Sequence, residues 1–374
     1  MRTAPEVTVL FFLLACAGKT PPADSPTPRE LVPLRVATYN SSLFGDAAGE
    51  TAEKVQDAGD RQVERILTVI TETSPDILVL QELDYDATGA TLENLNGHLD
   101  RPYPYLLQLP SNTGVGTGLD MDNDGESDGP GDAQGYGTFE GQYGFAILSR
   151  YPIDEAKLRA YQNLLWKDMP DARLPTLDGE AWYTEDELAV LRLSSKNHVA
   201  VPIDVDGETL HIVIAHPTPP VFDGDEDRNG MRNADEIRLL GEILSGADWL
   251  VDDAGVAGGL AESDHAVVFG DMNADPVDGD ALDGAIQQLL EDPRIHPDTA
   301  TGSLVPSSDG GESLDSRPDD AGDPAHDTAS WGQRVDYVLP TRELTVKASA
   351  VHWPTGDRSV EGSDHRLVWV DLEI

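Results

Sequence analysis

The chain has 374 residues, with 69 Asp and Glu against 25 Lys and Arg, for a formal charge of −44. That balance opposes a tight, purely electrostatic grip on DNA or anionic lipid and favours bound divalent cations. Hydrophobic residues make up 39%, enough for a real core, while 35 Gly and 26 Pro predict much loop between the regular elements.

A single cysteine, Cys16, excludes an internal disulfide. Residues 1–16 carry Arg2, an apolar run from Val7 to Ala15, and Leu13-Leu14-Ala15-Cys16, which resembles a bacterial lipoprotein signal. The run is too short to span a bilayer. Residues 17–33 read as a flexible tether. An exported protein is therefore expected (outer membrane, periplasm or cell surface) with a membrane attachment through lipidated Cys16. One catalytic domain is expected over residues 34–374, as a monomer.

Leu34 to Asn40 alternates like a strand. Arg61 to Thr73 has apolar residues at Val63, Ile66, Leu67 and Ile70, a helical spacing. Ile77 to Leu80 is an all-apolar strand that ends in Gln81-Glu82. A short helix is expected over Leu92–Leu99, and strands over Pro102–Leu109 and Gly144–Ser149. Residues 158–194 show no regular pattern. Ala200–Val205 and Leu210–Ala215 flank Asp206-Gly207, a strong hairpin signal, and the second strand leads into His216-Pro217. An amphipathic helix follows over Glu236–Leu250. Ala266 to Phe269 reads as a buried strand, broken by Gly270, with Asp271 and Asn273 two residues apart beyond it. A helix over Ala281–Leu290 and a long loop over 300–332 precede strands at Val335–Leu339, Leu344–Val351 and Leu367–Leu372.

Polar residues cluster at these strand ends: Asn40, Glu82, His216, Asp271, Asn273, Asp336, Asp364 and His365. In a layered α/β protein such ends converge on one rim. The residue types suit phosphoryl chemistry. Asp271 can hold a water or metal and Asn273 a phosphoryl oxygen. Glu82 and Asp364 are hard oxygen ligands for Mg²⁺ or Mn²⁺. His365 can protonate or orient at neutral pH, with Asp336 fixing its tautomer. Asn40, Asn273 and His216 offer hydrogen bonds to phosphoryl oxygens. Lys196 and Arg232 are candidate phosphate contacts, and His198 is a further candidate for the rim.

VATYN, DILVLQEL, FAILSRYPI, VIAHPTPP, VVFGDMNADP, RVDYVLP and GSDHRLV, in that order, resemble the endonuclease/exonuclease/phosphatase superfamily. The likeness covers nearly all of the chain after the signal. It implies a four-layer α/β/β/α sandwich, two packed mixed β-sheets flanked by helices. It implies that Glu82 binds the metal, with Asn40 assisting. Asp271 would orient or activate water, and Asn273 would contact phosphate. Asp364 and His365 would form the terminal pair, with Asp336 behind the histidine and His216 opposite. One position departs from the pattern: many nuclease members carry an acidic residue two places after the first asparagine, where this chain has Ser42.

Two loops raise the question of Ca²⁺. Asp225, Asp227, Asn229, Asn233 and Glu236, with Gly230 at the sixth place, match a twelve-residue calcium loop. A rival reading puts Arg232 and Asn233 in the substrate cleft. Asp120, Asp122, Asp124 and Asp128 form a second, weaker match. The leading expectation is an exported, divalent-metal-dependent phosphoesterase acting by direct attack of water on phosphorus. Its substrate is expected to be a small molecule or lipid head group rather than long DNA. The alternatives are a secreted, phosphate-scavenging nuclease and a non-catalytic calcium-binding surface lipoprotein.

Overall fold

The computed structural model describes residues 1, 31–313, 321–355 and 362–374. The signal segment and the tether as far as residue 30 lie outside the described residues. The compact unit is Val32–Ile374. It begins with Val32 and Ile374 exchanging backbone hydrogen bonds of 2.9 and 3.1 Å.

In chain order the strands are β1 (Pro33–Leu43), β2 (Ile77–Leu83), β3 (Tyr105–Leu109), β4 (Phe145–Ser149), β5 (Arg159–Ala160), β6 (Thr176–Leu177), β7 (Glu180–Ala181), β8 (Val199–Val205), β9 (Glu208–Ile214), β10 (His265–Asp271), β11 (Asp336–Pro340), β12 (Thr345–His352) and β13 (Leu367–Glu373). The helices are α1 (Glu50–Lys54), α2 (Arg61–Thr73), α3 (Ala90–Gly97), α4 (Glu185–Leu188), α5 (Arg228–Ser245), α6 (Gln287–Leu290) and α7 (Pro297–Ala300). One sheet has the order β12-β13-β1-β2-β4-β3 and the other β11-β10-β9-β8-β5; β6 and β7 pair separately. β1 and β2 run parallel in the first sheet, β9 and β10 in the second, and the remaining pairs are antiparallel.

Strand alternation builds the layers. Val36, Ile77, Val79 and Ile147 point toward the second sheet and meet Val201, Ile212, Ile214, Val267 and Phe269. The intervening Ala37, Leu78, Leu80 and Leu148 point the other way, onto Val63, Ile66 and Ile70 of α2 and Leu92 and Leu95 of α3. The outer face of the second sheet, with Val213, Val268 and Leu339, is covered by Ile237, Leu240 and Leu244 of α5. The result is the expected four-layer α/β/β/α sandwich. Each fully buried Leu, Ile or Val contributes about 1.5–3 kcal/mol.

Turn chemistry explains the connections. Asp206 and Gly207 both have positive φ, 52° and 91°, as a two-residue hairpin of the primed type requires. Two helices differ from the periodicity. Over Ala281–Leu290 only α6 forms, because Gly284 takes a left-handed φ of 80° and breaks the earlier turns. α5 starts eight residues before Glu236, for a reason that lies in the site below.

Ile212→Ala, in the layer between the sheets, should lower stability by about 2–5 kcal/mol in urea denaturation, whereas Leu177→Ala on the half-exposed β6 should stay within about 0.5 kcal/mol.

Candidate active site

The centre is the Asp271 carboxylate at the end of β10. Gly270 brings it there: a Cβ at that position would sit 1.9 Å from the Ala215 carbonyl oxygen, so only glycine lets β10 pass so close to the end of β9. His216 follows directly after that carbonyl. Asp271 Oδ2 accepts a 3.0 Å hydrogen bond from Asn40 Nδ2 and lies 3.5 Å from His216 Nε2 and 3.6 Å from His365 Nε2. Its Oδ1 accepts the Asn273 amide at 2.9 Å.

Each neighbour is fixed in turn. Ser42 N donates to Asn40 Oδ1 at 3.1 Å, so the Asn40 amide nitrogen is the atom turned to Asp271. His365 Nδ1 lies 2.9 Å from Asp336 Oδ2, and Trp331 packs edge-on at 5.0 Å between ring centroids. Asn273 Nδ2 donates to the Pro217 carbonyl at 3.1 Å. Ser42, Glu82 and Asn273 have φ of 47°, 55° and 50°, a left-handed backbone that non-glycine residues rarely keep outside tightly constrained sites.

Burial sets the charges. It pushes the Glu82 carboxyl up to about 7, only partly offset by His365 and Asn40. Burial, then Lys196 and His365, keeps His216 neutral. Burial also opposes charge on His365, yet Asp336 and Asp271 outweigh it and raise its pKa, so the imidazolium is the favoured form. Asp336 is raised, chiefly by desolvation.

Glu82, His216 and Asp271 each offer one ligand atom, all within 4.8 Å of one another. His216 turns its Nε2 to both carboxylates, 4.0 Å from Glu82 Oε1 and 3.5 Å from Asp271 Oδ2, and burial favours the neutral, ligating imidazole. A hard dication suits that donor set. Asp364 is exposed on the same cleft, held by a 2.6 Å hydrogen bond from Ser42 Oγ. Ser42 thus orients the Asp364 carboxylate.

The structure therefore brings Glu82, His216, Asp271, Asn273, Asp364 and His365 to one cleft, with Lys196 on its wall and Asn40 and Asp336 buried behind Asp271 and His365. Burial pushes the Lys196 ammonium down, against the nearby Glu236, Glu82 and Asp271. His198 is a support, its nitrogens bonded to Ser194 Oγ and the Glu236 carbonyl.

The calcium reading of 225–236 is corrected. Asn229, Asn233 and Glu236 lie inside α5 and cannot wrap an ion with Asp225 and Asp227. Asp227 is the left-handed residue that starts the helix. Arg232, expected at phosphate, is corrected too: its Nε and Nη2 donate to the carbonyls of Leu193, Arg192 and Gln134. Asn233 Nδ2 donates to the carbonyls of Thr218 and Met272, both at 2.9 Å. The Glu236 carboxylate accepts Ser195 N, Ser195 Oγ and Thr218 N at 2.6, 2.9 and 2.7 Å. The first turns of α5 are a polar bracket. They grip the loops that carry Lys196, His216 and Asp271, which is why a stretch without an apolar stripe is helical. In the second acidic loop Asp120, Asp122 and Asp124 converge, while Asp128 stands exposed outside that group. Asp132, which the pattern missed, accepts the amides of Met121 and Gly129.

The endonuclease/exonuclease/phosphatase family model matches residues 37–365. No curated protein matches the sequence. Among solved structures, an endonuclease/exonuclease/phosphatase from Beutenbergia cavernae is 18% identical, with a TM-score of 0.53, over 91% of this chain and 72% of that one. Sphingomyelinase C from Streptomyces griseocarneus is 17% identical, with a TM-score of 0.46, over 91% and 96% of the two chains. The human Nocturnin catalytic domain is also 17% identical, with a TM-score of 0.47, over 92% and 96%.

Two outcomes follow from the geometry. Asp336→Asn should lower the His365 pKa, changing its acidity constant by about tenfold or more in an NMR titration of the imidazole. Glu236→Gln places an amide against main-chain donors and should cost about 1–3 kcal/mol in urea denaturation. By releasing Lys196 and His216 together it should also reduce turnover about tenfold or more, measured under conditions where the variant is fully folded.

Proposed function

The chain belongs to the endonuclease/exonuclease/phosphatase family, whose members are hydrolases acting on phosphoesters, and from that premise we propose an exported, divalent-metal-dependent phosphoester hydrolase. The observation that carries the reading is one buried carboxylate, Asp271, set among a carboxamide and two imidazoles of opposite charge preference.

Glu82 would hold Mg²⁺ or Mn²⁺ together with His216 and Asp271, whose ligand atoms lie within 4.8 Å of it, and Asp364 would add a carboxylate from the same cleft. Such an ion supplies charge neutralisation on a phosphoryl oxygen. The chain's own groups do the rest. Asp271 accepts a hydrogen from the attacking water and aligns its lone pair, because Asn40 and the Asn273 amide hold the carboxylate still. Lys196 and the Asn273 side chain face the phosphoryl oxygens. The His365 imidazolium, kept charged by Asp336, presents its Nε2 proton to the oxygen that gains charge. No covalent nucleophile is invoked: water attacks phosphorus directly, and the only cysteine, Cys16, belongs to residues 1–16.

Leu13 to Cys16 supports export and lipid attachment. The charge of −44 supports a small phosphoester or lipid head group over long DNA.

A panel of phosphodiesters, phosphomonoesters and plasmid DNA, with and without EDTA, tests this. Wild type should hydrolyse at least one ester in an EDTA-sensitive way, and Asp271→Asn should lose about 1,000-fold or more. Asp275→Asn should keep turnover within about tenfold and lose stability. Its carboxylate holds loop amides, accepting Val277 N, Asp278 N and Arg334 N. Equal rates in wild type and Asp271→Asn would remove the centre from the reaction, and preferential digestion of plasmid would replace the substrate reading with a nuclease.

A further inference from the structure

The cleft over Asp271 encloses about 1110 Å³, room for a substrate far larger than phosphate. Its charged lining is one-sided. Beyond the centre, Asp122, Asp275 and Asp280 add carboxylates, and the cations are Lys196, Arg228 and Arg232. Two of the three are committed elsewhere. Arg228 is paired with Glu226, its guanidinium 5.6 Å from the Trp182 ring. Arg232 serves three main-chain carbonyls. Lys196 remains, and it stands beside Glu82 and Asp271. Among the described residues, carboxylates thus outnumber cations on the cleft, and Lys196 is the cation beside the centre itself.

The rest of the wall mixes polar side chains, Ser42, Thr218, Asn229 and Gln333 among them, with a group of aromatic rings. Phe44 and Tyr143 pack at 4.7 Å between ring centroids beside the centre. Tyr136 is 64% exposed and Phe222 87% exposed, both on the cleft. Phe222 takes a left-handed φ of 69° after Pro219, Pro220 and Val221. A proline-rich segment with a left-handed residue thus holds a phenyl ring out in water on the cleft, where it is free to meet a ligand.

We propose, on the basis of the phosphoesterase reading above, that the centre takes an ester carrying a single phosphoryl group and an aromatic or long aliphatic alcohol. The alcohol lies against Tyr136, Tyr143 and Phe222. Polyphosphates and polynucleotides are rejected because their second and later phosphates meet carboxylates and rings instead of cations. Aryl or nucleoside esters and lipid phosphoesters share this chemistry.

The test is a kcat/KM comparison with Mg²⁺. The apolar arms are 4-nitrophenyl phenylphosphonate (aryl) and a short-chain diacylglycerol phosphocholine (lipid), and the polyanionic arms are inositol hexakisphosphate and oligothymidylate. Dimethyl phosphate, which has neither an aromatic nor a long aliphatic alcohol, serves as the small reference. At least one apolar arm should exceed both polyanions by about 100-fold, and whichever arm wins identifies the source. In Phe222→Ala and Tyr136→Ala, the kcat/KM ratio of that apolar arm to the small reference should fall about fivefold or more, through KM. Polyanions turned over as fast as the apolar esters, or an unchanged ratio in both variants, would overturn the proposal while leaving the phosphoesterase reading intact. If wild type hydrolyses none of these esters, that reading itself falls. Calorimetry on the Mg²⁺-loaded protein still decides selectivity in that case. Binding of 4-nitrophenyl phosphate but not inositol hexakisphosphate supports the single-phosphoryl cleft, and the reverse order contradicts it.

Discussion

The 3.0 Å hydrogen bond from Asn40 to Asp271 joins the two sheets at the point where their strand ends meet. Asn40 belongs to β1 of one sheet and Asp271 to β10 of the other. A carboxylate 1% exposed is costly unless donors surround it. That requirement recruits Asn40, the Asn273 amide and two histidines to one place, and it sets the spacing of the sandwich at its rim. Val267 and Phe269 pack against the first sheet just below. The apolar layer between the sheets is thus a frame that delivers two polar strand ends to each other.

The charge pattern of the centre comes from what lies behind each histidine. His365 is backed by Asp336 and leans toward the charged form, while the His216 Nδ1 has no hydrogen-bond partner among the described residues, and burial, then Lys196, holds that ring neutral. One residue type is given two roles by burial and neighbours. The bracket at the start of α5 works at one remove. Asn233 and Glu236, three residues apart and so on one helix face, tie Thr218, Ser195 and Met272 together. The loops of the site are therefore referenced to a rigid element instead of to each other.

Much of this was legible in the residues. Alternation placed β1, the Asp206-Gly207 turn placed the β8–β9 hairpin, and the all-apolar Ile77–Leu80 run belongs to a strand buried on both faces. Polar residues at strand ends gathered on one rim because parallel and antiparallel neighbours in two stacked sheets end together. What stayed hidden depended on tertiary partners. Periodicity looks for apolar stripes, so it began α5 at Glu236 and missed the turns whose polar heads are buried against other loops. The same residues imitated a calcium loop because both motifs need oxygen and nitrogen donors at short spacing. Ser42 was visible as a departure from a family pattern. Its hydrogen bond to Asp364 was not, since it spans 322 positions of the chain.

Hydrolysis in ¹⁸O-labelled water bears most directly on the central claim, that Asp271 directs water onto phosphorus beside a bound dication. With Mg²⁺ present, the label is predicted in the phosphate product and absent from the released alcohol, with no label incorporated when EDTA removes the metal. Label in the alcohol, or unchanged incorporation into phosphate in EDTA, would contradict that claim.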